Sequence, residues 1–346
     1  MRAKKWLAVG ATALCILASL WFLQRLVMPK YMGDVVEGNF MAEYYDTEKD
    51  HDVIFIGDCE VYENFSPQVL WDEYGINSYI RGSAQQLVSQ SYYVLEDTLR
   101  YEKPDVVVFS VLAVPYNEPA KESYNRMTLD GMRWSKTKWE AICTSMTEKE
   151  QLLDYIFPIL RYHSRITELE KEDFTYLFHR DLVSHNGYYM RVDAKPADNV
   201  PDGRPLADYT IDAGQMEWLE KIRLLCEENG VKLVLVKAPS LYPYWYDEWE
   251  QQIAAYAESH GLPYINLLAL KEAAGLDYQT DTYDGGLHLN LAGAEKLSRY
   301  FGIYLKETCG LADRRTESAL AARWEENARW YEEDRIRQEY EIAAGE

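Results

Sequence analysis

Basic residues are scarce in this chain. Lys and Arg number 36 against 57 Asp and Glu, a formal net charge of −21 over 346 residues. Nucleic-acid binding needs a basic face that displaces counterions, so that class is excluded. General adhesion to anionic lipid is excluded on the same ground, which leaves only local basic patches. Cysteine is sparse too. Cys15, Cys59, Cys143, Cys226 and Cys309 lie far apart, with no C-x-x-C pair. Neither zinc-ligand spacing nor a disulfide framework is present. No G-x-G-x-x-G turn occurs, so no dinucleotide is indicated. Neither a metal nor a cofactor is expected, and internal repeats are absent. Hydrophobic residues, in contrast, make up 47% of the chain, enough for a core.

Long uncharged apolar stretches are also rare, and the one at the N-terminus is informative. Trp6–Leu23 follows Arg2, Lys4 and Lys5 and carries no charge. Its length of about 18 residues is the lower limit for a helix that crosses a bilayer. A cleaved signal peptide is the rival. Its one A-x-A triplet, Ala11-Thr12-Ala13, would leave too short an apolar region before the cut. The sequence therefore predicts an uncleaved anchor within 1–30, with a cytoplasmic N-terminus and the rest of the chain outside.

Five short apolar runs read as strands: Val53–Ile56, Ser78–Ile80, Val106–Phe109, Leu233–Val236 and Tyr264–Leu267. Several are β-branched without alternation, as in a parallel sheet buried on both faces. Helical patterns separate them at Gln85–Tyr101, Asp212–Asn229 and Trp245–His260, and Asn290 reads as the N-cap of a last helix, Leu291–Glu307. This order predicts an α/β fold, a three-layer α/β/α sandwich around a mainly parallel sheet of about five strands. The α/β domain is placed at 31–310. Residues 112–213 are too long for a crossover and are read as an inserted helical cap. Its expected helices are Ser135–Met146, Glu148–Arg161 and Ile166–Glu172, followed by a polar stretch, Asp193–Asp208. A charged helix at 311–346 closes the chain, read either as a packed solvated helix or as a partner-binding one.

Open parallel sheets bind ligands at the carboxyl ends of their strands. Here those ends carry Gly57-Asp58-Cys59, Arg81-Gly82-Ser83 and a loop from Asp281 through Asp284 and His288 to Asn290. A thiol, a glycine amide and an Asp/His pair on one crevice suit acyl transfer. At these residues the chain resembles the SGNH/GDSL hydrolases, closest to a membrane-anchored bacterial branch associated with cell-surface polymer acylation. The resemblance spans about 52–305, excluding the insertion, and implies a flavodoxin-like sheet. The family's Gly-Asp-Ser reads Gly57-Asp58-Cys59. Its second-block glycine matches Gly82. Its Asp-x-x-His matches at His288, with Asp284 four residues back instead of three; Gly285-Gly286 offers freedom to absorb the difference, and Asp281 is the fallback. The Gly-x-Asn-Asp block is not recognisable, and Asn117 is the nearest asparagine.

The resemblance implies Cys59 as nucleophile, His288 as base, Asp284 as its orienter, and the amides of Gly82 and Cys59, with Asn117, as oxyanion donors. Cys59 has a bland alternative as a small packed thiol, and the flanking Asp58 and Glu60 disfavour a thiolate. Tyr-rich Leu241–Glu250 is read either as a platform for sugar rings or as packing. His163, Arg126 and Arg133 are read as structural rather than chemical. The expected function is an extracytoplasmic acyl esterase or O-acyltransferase on a surface glycan or polymer. Against it stands a catalytically silent fold that binds a glycan or serves a membrane acyltransferase. Expected partners are the membrane, a surface glycan or acylated polymer, and such an acyltransferase.

Overall fold

The computed structural model describes residues 2–33, 35–116 and 121–345. Its centre is a five-stranded sheet with β1 Val53–Gly57, β2 Ser78–Gly82, β3 Val106–Ser110, β4 Lys232–Lys237 and β5 Tyr264–Asn266. The strand order is β2-β1-β3-β4-β5 and every pairing is parallel. All five apolar runs are strands. Alternate residues feed two cores, as the pleat requires. Phe55, Val108 and Val234 pack with Leu297 and Phe301 on one face. Ile54, Val107 and Leu235 pack with Leu95, Ile222 and Ile253 on the other. Helices thus cover both faces, giving the expected three layers.

The helices start and stop where their caps dictate. The Asp212 side chain accepts from the Gly214 amide at the start of Ala213–Asn229, and Gly230 ends it in the left-handed region. Asn290 Oδ1 accepts from the Gly293 amide, 3.2 Å, and begins Leu291–Glu307. The helix expected at Gln85–Tyr101 is shorter, Val88–Thr98. The insertion departs further. Lys136–Ser145 forms as expected. The expected helix Glu148–Arg161 is instead broken into Leu152–Ile156 and Ile159–Tyr162, because Pro158 cannot donate inside a helix. Ile166–Glu172 is not a helix: the chain forms a 3-10 turn, His163–Thr167, and then a short helix, Lys171–Thr175.

The C-terminal helix Ser318–Ala344 packs on the domain. Trp324 stacks on Trp71 with ring centroids 5.4 Å apart, and the buried Tyr331 hydroxyl meets Ser66 Oγ at 3.1 Å. At the other end, helix Arg2–Val27 contains a stretch, Lys4–Val27, of mean hydropathy 2.0, long and apolar enough to cross a membrane.

Direction along the sheet reverses between β2 and β3, which lie on opposite sides of β1. In such folds the crevice outside these carboxyl ends is where ligands sit.

Candidate functional site

Strand β1 stops at Gly57 and the chain turns at once into a short helix, Cys59–Asn64. Asp58 makes that turn, its Oδ1 accepting from the Glu60 amide at 3.1 Å. Cys59 is the first helical residue and is half-buried. Glu60 points away from the sulfur. It is fully buried and pairs with Lys237 at the end of β4, 2.5 Å, and accepts from Ser110 Oγ at the end of β3, 3.0 Å. Three strand ends are thereby tied together beneath the thiol. Lys237→Met is expected to destabilise the fold by about 3–5 kcal/mol, since it leaves a buried carboxylate without its cation. Urea unfolding measures this; stability equal to the parent's would remove the pair as the tie.

His288 reaches the same place from the loop before the last helix. Its Nδ1 lies 2.7 Å from Asp284 Oδ2. Asp284 Oδ1 accepts from the backbone amides of Leu287, 3.1 Å, and His288, 2.9 Å. The carboxylate is therefore fixed from its own loop. The extra residue in the Asp-to-His spacing is taken up by Gly285 and Gly286, at φ 89° and 105°. At Gly286 a Cβ would also stand 2.9 Å from Leu241 Cδ1. His288 Nε2 is buried and finds no hydrogen-bond partner among the described residues. It is near enough to Cys59 that each group shifts the other's titration.

Asp281, the fallback, serves another purpose. Its Oδ2 holds Lys296 at 2.7 Å and the Asp277 amide at 2.8 Å. Gly82 lies beside the turn after β1: it pairs in register with Gly57, and a Cβ on it would stand 3.1 Å from the Asp58 carbonyl oxygen. The neighbouring Ser83 amide donates to Gly57 O, 3.4 Å, so the Gly82 amide faces the other side of the strand, away from β1. Asn117 lies outside the described residues.

Glu63 was missed by sequence reasoning. It sits one helical turn after Cys59, buried, with Oε2 3.5 Å from His288 Nδ1 and accepting from the Tyr283 hydroxyl. The i, i+4 spacing from Cys59 was the available signal. Carboxylates do act on the thiol as the sequence suggested, but they are Asp58 and Glu63; Glu60 is spent on Lys237.

These neighbours set the protonation of the site. Burial pushes the Cys59 thiol up to about 11, Asp58 and Glu63 add to the rise, and His288 opposes it. Burial works against the His288 imidazolium, but Cys59, Glu63 and Asp284 together hold it well above the ordinary histidine range. Burial raises Glu63 to about 7. Burial also opposes the Asp284 carboxylate, yet hydrogen bonds from His288 bring it below its usual value. Thiol and imidazole thus share their protons as a coupled pair, and losing one proton makes the pair reactive. Glu63→Gln removes a charge that retains those protons. Alkylation of Cys59 by iodoacetamide, followed on its peptide by mass spectrometry, should rise with pH in the parent. In the variant the same profile should lie at lower pH, and a displacement of about one pH unit would make labelling at pH 7 about tenfold faster. A profile that stays put, or moves to higher pH, would show that Glu63 does not act on the pair.

The remaining readings resolve as packing. Arg126 is tucked against Tyr155, 3.6 Å from the ring centroid, and pairs with Asp130 at 3.2 Å. Arg133 lies over Tyr45, and His163 Nδ1 meets Leu160 O at 2.9 Å. In Leu241–Glu250, Trp245 and Trp249 are buried. Tyr246 packs edge-on against Trp249 at 4.6 Å and donates to Arg204 O, 2.5 Å. Of the segment's aromatic side chains only Tyr244 stands substantially exposed, against the Gly203 backbone. The polar part of the insertion does border the site: Lys195 donates its amide to Thr282 O, 2.8 Å, and Arg191 lies over the Tyr283 ring at 4.5 Å.

No family model matches the sequence. No curated protein matches it either. By structure the chain is similar to a crystal structure from Bacteroides fragilis described as a "putative acylhydrolase", with a TM-score of 0.38 and 11% sequence identity, over 78% of this chain and 95% of that one.

Proposed function

We propose that this chain is a membrane-anchored acyl esterase or O-acyltransferase of the SGNH kind, in the branch that acts on cell-surface polymers. One observation carries the reading: Asp284 holds His288 by Nδ1 at 2.7 Å, while Nε2 has no hydrogen-bond partner among the described residues and the ring lies beside Cys59. That is the arrangement of a base poised on a nucleophile.

The steps balance as follows. From the pair that has lost one proton, Cys59 Sγ bonds to the acyl carbonyl carbon as the thiol proton passes to His288 Nε2. The backbone amide of Cys59 takes the charge on the carbonyl oxygen; the Gly82 amide, turned away from β1, does not contribute. Collapse breaks the ester C–O bond, and Nε2–H protonates the departing alkoxide, leaving a thioester on Cys59. Water or a glycan hydroxyl then gives its proton to Nε2 and attacks, and Cys59 departs as thiolate. The domain lies outside the membrane, supported by Arg2, Lys4 and Lys5 ahead of the apolar helix. Protease added to intact cells should trim most of the chain; digestion only after permeabilisation would reverse the orientation. The chemistry is tested by incubation with p-nitrophenyl acetate, which should leave an acetyl mass increment on the Cys59 peptide.

The second reading, a silent fold that binds a glycan or a membrane acyltransferase, is favoured by the raised thiol. A group pushed up to about 11 by burial is a poor nucleophile at neutral pH. Absence of any increment from pH 7 to 9 would support it.

A further inference from the structure

The insertion exposes more apolar surface than packing accounts for. Leu153, Phe157, Leu160, Ile166, Phe174 and Phe178 are all exposed, Phe178 at 81%. The same segment docks on the exit of the N-terminal helix. Ile159–Tyr162 and His163–Thr167 both pack against that helix. Arg165 donates to its last carbonyls, Val27 O at 2.9 Å and Met28 O at 2.8 Å, and Leu26 and Val27 are buried at the junction. These apolar side chains therefore stand beside the point where the apolar helix ends. In water such a cluster is a liability; in the headgroup and acyl boundary of a bilayer it is stabilising.

A cavity of about 700 Å³ opens at the same junction, with Trp21, Arg25, Trp134 and Arg180 in its wall. Of its carboxylates, Glu43 and Asp130 are engaged, and Asp46 and Asp181 are exposed with loose partners. Glu43 accepts from Ser184 Oγ, 2.5 Å, Asp130 holds Arg126, Asp181 lies 3.4 Å from His179, and Asp46 reaches Arg133 at 4.0 Å. Among the described residues Arg180 donates only to neutral oxygens, Asn39 Oδ1 at 3.1 Å and Tyr176 O at 3.2 Å. Arg25 lies over the Trp21 ring, 5.1 Å from its centroid. Burial, with Arg25 next, lowers the Arg180 pKa, and Asp46 opposes the shift, so the two guanidinium groups lie near one another. The segment as a whole is not basic, so its seating depends on apolar contact, and in the cavity wall Arg25, Arg133, Lys138 and Arg180 are matched by Glu43, Asp46, Asp130 and Asp181.

We propose that the 152–182 segment rests in the lipid interface beside the spanning helix, and that the phosphate of a phospholipid headgroup occupies the cavity between Arg25 and Arg180. Aromatic residues at the boundary and paired guanidiniums on phosphate are the chemistry this depth favours. The inference rests on reading Arg2–Val27 as a membrane span and is independent of Cys59.

The full chain is reconstituted in phosphatidylcholine–phosphatidylglycerol vesicles that carry a phospholipid with a diazirine in its acyl chain, then irradiated and mapped by peptide mass spectrometry. Adducts are expected on peptides from 6–27 and from 153–178. Adducts confined to 6–27 would overturn the seating; adducts on neither would overturn the span and the proposal with it. Combined Phe157→Ser, Phe174→Ser and Phe178→Ser should cut labelling of the segment about fivefold while labelling of 6–27 is unchanged. For the cavity, the full chain in detergent micelles with added phosphatidylglycerol is examined by native mass spectrometry. One retained lipid is expected, held about tenfold more weakly in Arg180→Gln and in the exposed Arg25→Gln. Equal retention in both variants would overturn the phosphate assignment. Complete displacement by inorganic phosphate would show a free-phosphate site and overturn the lipid one.

Discussion

Cys59→Ala is expected to abolish both the acetyl increment and turnover of p-nitrophenyl acetate, a loss of about 10⁴-fold or more. On the proposed reading the Cys59 thiol accepts the acyl chain beside His288 Nε2, which has no hydrogen-bond partner among the described residues. Cys59→Ser is more informative. A hydroxyl is far less acidic and needs a neutral imidazole to take its proton, and Glu63 and Asp284 shift the loss of the His288 proton to higher pH. The serine variant should be slower than the parent at neutral pH and recover as pH rises and the imidazolium is lost. Combining it with Glu63→Gln should move that recovery to lower pH. If Cys59→Ala turns over like the parent, the thiol is packing and the silent fold becomes the better account.

Asp284→Asn should lower turnover by about 10²- to 10⁴-fold, while Asp281→Asn leaves it within a fewfold of the parent. Asn can keep its carbonyl on the Leu287 and His288 amides, which Asp284 Oδ1 now accepts. Its NH₂ then faces Nδ1 and favours the tautomer with Nε2 protonated, which cannot take a proton from Cys59. The loss falls short of the upper figure to the extent that Glu63, 3.5 Å from the same Nδ1, still accepts from the ring. Asp281 is tied to Lys296 and the Asp277 amide, so its substitution should lower the unfolding midpoint instead. A larger turnover loss in Asp281→Asn than in Asp284→Asn would exchange their roles.

The strand framework was legible in the sequence because it rests on local patterns. Continuous β-branched runs such as Val106–Phe109 have one stable use in a chain of this kind, between two helical layers. Caps are equally local: Asp212, Gly230 and Asn290 mark helix ends by their own side chains or backbone freedom. The apolar helix at the N-terminus follows from composition alone. Gly-Asp before Cys59, and Asp284 before His288, pointed to one crevice because parallel strands bring their carboxyl ends together.

Contacts between distant residues could only be decided by folding. Whether Asp284 or Asp281 faces His288 depends on a loop closed by Gly285 and Gly286, and on Lys296, fifteen positions away from Asp281, claiming the other carboxylate. Glu60 and Glu63 look alike in sequence, yet Lys237 from β4 takes the first and His288 meets the second. The aromatics of Leu241–Glu250 became packing because the polar part of the insertion folds back over them. Each of these outcomes depends on which charge or ring arrives from another element, and a pattern along one strand or helix contains no record of that.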